Sequence, residues 1–148
     1  VQHPGESAAT AAIESCLAGA GGRWRRVAAG EWGLRAEVGG WPLDVGLALR
    51  SGLLRAQAEV LGAGQVDAHE LLVRNRRLPL VRFAHSGAGA VWLVGELPAG
   101  AITEAEVDRL LGLVLQAADD LRARAAPQRS SGRRGAGQDQ AASARRRA

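Results

Sequence analysis

The chain has no methionine and no tyrosine, one phenylalanine, one cysteine and three histidines in 148 residues. Every basic residue is arginine, so lysine is absent too. A lone Cys16 excludes an intramolecular disulfide, which suits a reducing compartment. Its place on an apolar helical stripe makes it a packed small hydrophobe, since a nucleophile needs a base and an accessible electropositive setting. His3, His69 and His85 are scattered and give no metal-ligand spacing with it. No Gly-x-Ser-x-Gly elbow or Ser/His/Asp arrangement occurs. Gly19-Ala20-Gly21-Gly22 and Gly62-Ala63-Gly64 lack the Gly-Lys-Ser/Thr ending of a phosphate loop and do not open a helix after a strand, so they read as turns. Glu70, Glu104 and Glu106 fall in first turns of helices, where the dipole favours negative charge, and Asp119 and Asp120 face water. The expectation is a non-enzymatic protein without cofactor or metal. The longest apolar runs, such as Leu110–Leu115, fall far short of the roughly 20 residues that span a bilayer. No basic segment leading into an apolar one opens the sequence. A cytoplasmic protein without membrane contact is expected.

What is present is arginine, alanine and glycine, a usage that reflects GC-rich bacterial coding and not a mechanism. The formal net charge of +4 divides unevenly. Residues 1–121 carry eleven Arg against fourteen Asp and Glu, 11 − 14 = −3, whereas residues 122–148 carry eight Arg against Asp139 alone, 8 − 1 = +7. From Pro127 onward no apolar periodicity survives. The domain is therefore bounded at residues 1–126, and residues 127–148 read as a disordered Arg-rich tail. Arg133, Arg134, Arg145, Arg146 and Arg147 are candidate phosphate contacts, which keeps a nucleic-acid-associated regulator as the alternative function. Composition bias alone also explains such a tail, and no helix-turn-helix or aromatic RNA-binding signature accompanies it.

Within the domain, Ala9, Ile13, Cys16 and Leu17 fall at helical spacing over residues 7–18. Trp32, Leu34, Ala36 and Val38 then alternate with Arg35 and Glu37. Leu43, Val45, Leu47 and Leu49 alternate with Asp44 and Arg50. Leu54, Ala56, Ala58 and Val60 alternate with Arg55, Gln57 and Glu59. Gly39-Gly40 and Ser51-Gly52 separate these three strands as hairpin turns. Asp67 with Glu70, and Thr103 with Glu106, form capping patterns that start two helices. Asn75 is placed at the end of the first of these, in the left-handed conformation it tolerates, and Pro79 forbids continuation. Residues 80–86 and 90–97 form a second hairpin. The stripe Val107, Leu110, Leu111, Val114, Leu115, Ala118 and Leu121 is the strongest periodic signal. The fold class is α+β in the order α-β-β-β-α-β-β-α. It predicts a five-stranded, mostly antiparallel sheet with helices packed mainly on one face.

This order, with His69-Glu70-Leu71-Leu72, Asn75-Arg76-Arg77-Leu78-Pro79, Arg82-Phe83-Ala84, Glu96-Leu97-Pro98, Leu110-Leu111 and Ala117-Ala118-Asp119-Asp120-Leu121, resembles the bacterial YbjN family, whose fold is similar to that of the type III secretion chaperones. The resemblance covers roughly residues 30–124. It implies a small, usually dimeric domain that binds segments of other proteins, chaperone-like or regulatory, without bond chemistry. The chain departs from the family in its few aromatics and its arginine tail. Arg35, Arg55 and Arg82 fall opposite the apolar strand positions, where pairing with Glu37 and Glu59 is one reading and a partner-accepting face the other. Trp92 and Val94 project away from Val91 and Leu93 as a candidate anchor for a client or a second copy. These five residues are the candidate binding site, with a protein or peptide client and a homodimer as expected partners.

Overall fold

The computed structural model describes residues 4–125. Its elements are α1 (Pro4–Gly19), β1 (Arg23–Ala28), β2 (Glu31–Val38), β3 (Trp41–Arg50), β4 (Leu53–Leu61), α2 (Ala68–Asn75), β5 (Val81–His85), β6 (Val91–Pro98), a 3-10 turn (Ala99–Ala101) and α3 (Glu104–Ala125). All strands pair antiparallel in one sheet, in the order β1-β2-β3-β4-β6-β5.

The sheet has six strands and not five, because Arg23–Ala28 forms an edge strand ahead of the meander. Its side chains are exposed except for a half-covered Trp24. With no buried face it lacks the apolar alternation that marks the other strands. Charge on an outer strand also blunts edge-to-edge association. The remaining element order agrees with expectation, and α1 begins earlier, at Pro4.

Period-two alternation builds the core. Trp32, Leu34 and Val38 of β2, Leu43 to Leu49 of β3, Leu54 to Val60 of β4 and Val91, Leu93 and Leu97 of β6 bury their alternate side chains on one face. The apolar stripe of α3 (Val107, Leu110, Leu111, Val114, Ala117, Ala118, Leu121) covers that face, and Ala9, Ile13, Cys16 and Leu17 of α1 extend the same core. Gly95 sits where the helix comes closest. A Cβ there would lie 2.6 Å from Leu110 Cδ1 and 2.9 Å from Val81 Cγ1. Burial pushes the Cys16 thiol up, and the negative charges of Asp108 and Glu104 add to it. The group is packed and poorly suited to act as a thiolate.

Two of the hairpins close through paired left-handed residues, Gly39-Gly40 and Ser51-Gly52, the conformation of a type I′ turn. Asp67 caps α2 by accepting from the His69 N–H at 3.2 Å, and Thr103 Oγ1 accepts from the Glu106 N–H at the same distance. Asn75 departs from expectation. The helix ends with Arg76 in the right-handed region, and the Asn75 side chain leaves for β5. Its Nδ2 donates to the Phe83 carbonyl at 3.1 Å, and its Oδ1 accepts from the Phe83 N–H at 2.7 Å. The amide thus stands in for a neighbouring strand and satisfies part of an open sheet edge. The left-handed residue of this junction is Leu80, with φ 58°.

Asn75→Ala is expected to cost about 2 kcal/mol, two hydrogen bonds at about 1 kcal/mol each, measured by urea unfolding. Asn75→Asp is expected to lose a comparable amount, since a carboxylate cannot donate to the Phe83 carbonyl.

Candidate functional site

Among the described residues, nothing covers the face of the sheet away from α1 and α3. Strand register places its side chains in rows that run across the strands. One row is Arg23, Arg35, Asp44, Glu59, Trp92 and Ala84, and the next is Arg25, Gly33, Gly46, Gln57, Val94 and Arg82. A third carries Glu31, Ala48, Arg55 and Glu96. All five sequence candidates, Arg35, Arg55, Arg82, Trp92 and Val94, therefore share this one face. Trp92 and Val94 are half-buried there while Val91 and Leu93 are buried beneath.

The arginines are paired, with partners other than those expected. Arg35 meets Asp44 bidentately, Nε to Oδ1 at 2.7 Å and Nη2 to Oδ2 at 2.9 Å. Arg55 donates from Nε and Nη2 to Glu96 Oε1 at 2.9 and 2.6 Å. Arg82 Nη2 lies 3.6 Å from the other oxygen of Glu96. Arg50 pairs with Glu31. Glu37 and Glu59 make no ion pair among the described residues. The Arg55 guanidinium holds the Glu96 carboxyl below its ordinary value, with the charge of Arg82 adding. Arg35 does the same for Asp44, and the charge of Arg25 contributes.

Two depressions lie on this face. The larger, about 1070 Å³, extends from Arg25 and Val27 across Gly33 and Gly46 to Gln57 and Glu96. The smaller, about 580 Å³, runs from Pro42 and Glu59 to Trp92 and Arg122. They meet over Asp44, Gly46 and Gln57. Sequence reading missed Arg23 and Arg25, which only the unrecognised edge strand brings to this face. It also missed Arg122, which reaches from α3 to the carbonyls of Val38, Trp41, Pro42 and Val60.

Among the described residues no three His, Cys, Asp or Glu side chains come together as metal ligands, and no buried polar side chain lacks a partner. His69 and His85 are exposed. No described helix is long and apolar enough to cross a membrane. His3 and the tail residues Arg133, Arg134, Arg145, Arg146 and Arg147 lie outside the described residues.

No family model matches the chain, and no curated protein matches it. Solved structures do. The chain is similar to the Yersinia pestis type III secretion chaperone SycH, solved in complex with a stable fragment of YscM2. Identity is 18% and the TM-score 0.58, covering 76% of this chain and 98% of the other. It is similar to a chain of the HopA1–SchA chaperone–effector complex at 9% identity and TM-score 0.60, covering 77% and 92%. The ExoU–SpcU complex of the Pseudomonas aeruginosa type III secretion system matches at 17% identity and TM-score 0.54, covering 74% and 93%. The chain thus has the type III secretion chaperone-like fold, an α+β architecture on an antiparallel sheet.

The lowered carboxylates fix a sign for pH dependence. Glu96 binds its proton more weakly folded than unfolded, so its contribution is present above the ordinary value of 4.5 and is lost as pH falls through the lowered one. Asp44 and Glu70 act in the same direction. The urea midpoint is expected to fall between about pH 5 and pH 3, and Glu96→Gln is expected to flatten part of that slope.

Proposed function

We propose that this chain is a non-enzymatic, chaperone-like module that binds a segment of another protein on the open face of its sheet. The observation that carries the reading is that uncovered face, where half-buried Trp92 and Val94 adjoin the ion-paired Arg55, Arg82 and Glu96. It lies on a fold shared with chaperones solved beside effector proteins. Aromatic and arginine side chains are the residue types enriched where binding energy concentrates. Recognition by surface complementarity needs no reacting group. Membership of the YbjN family, a cytoplasmic location and a homodimer complete the proposal. The homodimer draws support from Leu72 and Val73 on α2, which are 65% and 50% exposed and offer an apolar pair for a self-complementary contact.

Affinity capture from native lysate with the full chain, a 1–126 truncation and a Trp92→Ala/Val94→Ser variant tests the reading. The same specific protein is expected with the full chain and the truncation, depleted at least about tenfold with the double variant. Recovery of nucleic acid alone, salt-sensitive and lost on truncation, would overturn it in favour of a regulator that acts through the tail arginines. Leu72→Arg is expected to convert a dimer to a monomer in sedimentation.

A further inference from the structure

We propose that the larger depression, crossing β1 to β4, takes an acidic extended segment of the client, with its carboxylates against Arg23 and Arg25. The inference rests on the reading that a protein segment binds this face, and it adds the chemistry of that segment and where its charge sits.

Charge carries the argument. Five arginines line this trough, Arg23, Arg25, Arg35, Arg50 and Arg55, against three carboxylates, Glu31, Asp44 and Glu96. Each carboxylate is held by one of Arg50, Arg35 and Arg55, so 5 − 3 leaves +2 on Arg23 and Arg25. Neither has a carboxylate at ion-pair distance among the described residues. Arg23 is also registered directly opposite Arg35, a like-charge juxtaposition that disfavours the sheet on its own. The described residues as a whole carry thirteen Arg against fourteen Asp and Glu, 13 − 14 = −1. A trough of +2 in a body of −1 is a local inversion of sign, complementary to an anionic partner.

Shape limits that partner to polypeptide. The ion pairs at Arg35 and Glu31 stand four residues apart on β2, about 13 Å, with Gly33 midway between them. Gly33 and Gly46 are register partners, and neither needs a positive φ. A Cβ on Gly33 would meet Val27 Cγ2 at 3.6 Å, and one on Gly46 would meet the Gln57 carbonyl at 3.8 Å, ordinary contacts. The low floor thus leaves room for a main chain, and the exposed Gln57 amide beside it offers both a donor and an acceptor. A nucleic acid brings a phosphate with every nucleotide and would set several against Glu31, Asp44 and Glu96, on a floor without an exposed aromatic for bases to stack on. The chain's own tail is excluded by its charge: residues 127–148 carry six Arg against Asp139 alone, 6 − 1 = +5.

The test uses the full chain and a phage-displayed library of random twelve-residue peptides, with enriched peptides resynthesised. Peptides carrying Asp or Glu are expected. Their affinity should fall about tenfold or more in Arg23→Gln/Arg25→Gln and at high salt, and Gly33→Val should block them while the fold is retained. Enriched peptides that are not acidic, or that bind these variants undiminished, would overturn the inference and leave protein binding intact. No enriched peptide at all would count against both. A dimer that Gly33→Val converts to monomer, with peptide affinity unchanged, would overturn it by making the trough a contact between copies.

Discussion

The contact between α3 and the inner face of the sheet governs everything on the outer face. Val107, Leu110, Val114, Ala118 and Leu121 are fully buried against strand residues such as Leu54, Ala56, Leu93 and Val91, and Gly95 lets the helix settle where any side chain would collide with Leu110. Because successive strand residues point to opposite faces, burying one set of alternate positions assigns the other set to the outside. A slip of one residue along β3 or β4 would drive Asp44, Arg50, Arg55 and Glu59 beneath α3. Several unpaired charges would then lose water at a cost of several kcal/mol each. The outer rows of arginine, carboxylate and glycine are held in place by the hydrophobic rows behind them.

Arg122 adds a second tie. Its guanidinium donates to the carbonyls of Val38, Trp41, Pro42 and Val60 at 2.9 to 3.3 Å, and burial lowers its pKa. Gly39 lies close to the same side chain, since a Cβ added there would meet Arg122 Cβ at 3.6 Å. One residue late in α3 thus joins the β2–β3 hairpin to the end of β4, beneath the smaller depression. Arginine suits the task because its planar fork offers five donors in fixed directions. The hairpin that presents Asp44 is braced from behind, while Trp41 beside it stays 70% exposed.

Local physics made most of the fold legible in the sequence and left the pairings hidden. Alternation and helical stripes identify the buried face of each element because burial itself imposes those periods. They disclose β2, β3, β4, β6 and α3, and they put Arg35, Arg55, Arg82, Trp92 and Val94 on the outward side. Arg23–Ala28 buries almost nothing, so no period marks it as a strand; the Ala29-Gly30 turn ahead of a clear strand is its one cue. The partners of the arginines depend on register between distant segments. Arg55 and Glu96 are 41 residues apart and meet only because β4 pairs with β6, so Glu59, closer in sequence, was the more visible candidate. Asn75 has the residue type of a helix terminator, and its amide is instead used on Phe83 by a strand that does not yet exist when the helix is read alone.

The distribution of charge on the open face bears on how a partner can be recognised there. Exposed ion pairs such as Arg35–Asp44 add little to stability, since water already solvates both ions well. Their consequence is felt when the face is covered. A partner that dries a free arginine must offset the lost hydration of a full charge, whereas a bidentate pair already meets most of its hydrogen-bonding needs. Pairing Arg35, Arg50 and Arg55 makes the middle of the face cheap to desolvate and nearly blind to the charge of what lies on it. If a protein segment binds here as proposed, discrimination would be left to the two ends: the arginines of β1 without a carboxylate partner among the described residues, and the half-buried apolar pair Trp92 and Val94 on β6. On the proposed reading, such a face would select a segment by the spacing between an acidic group and an apolar one, and would tolerate wide variation between them.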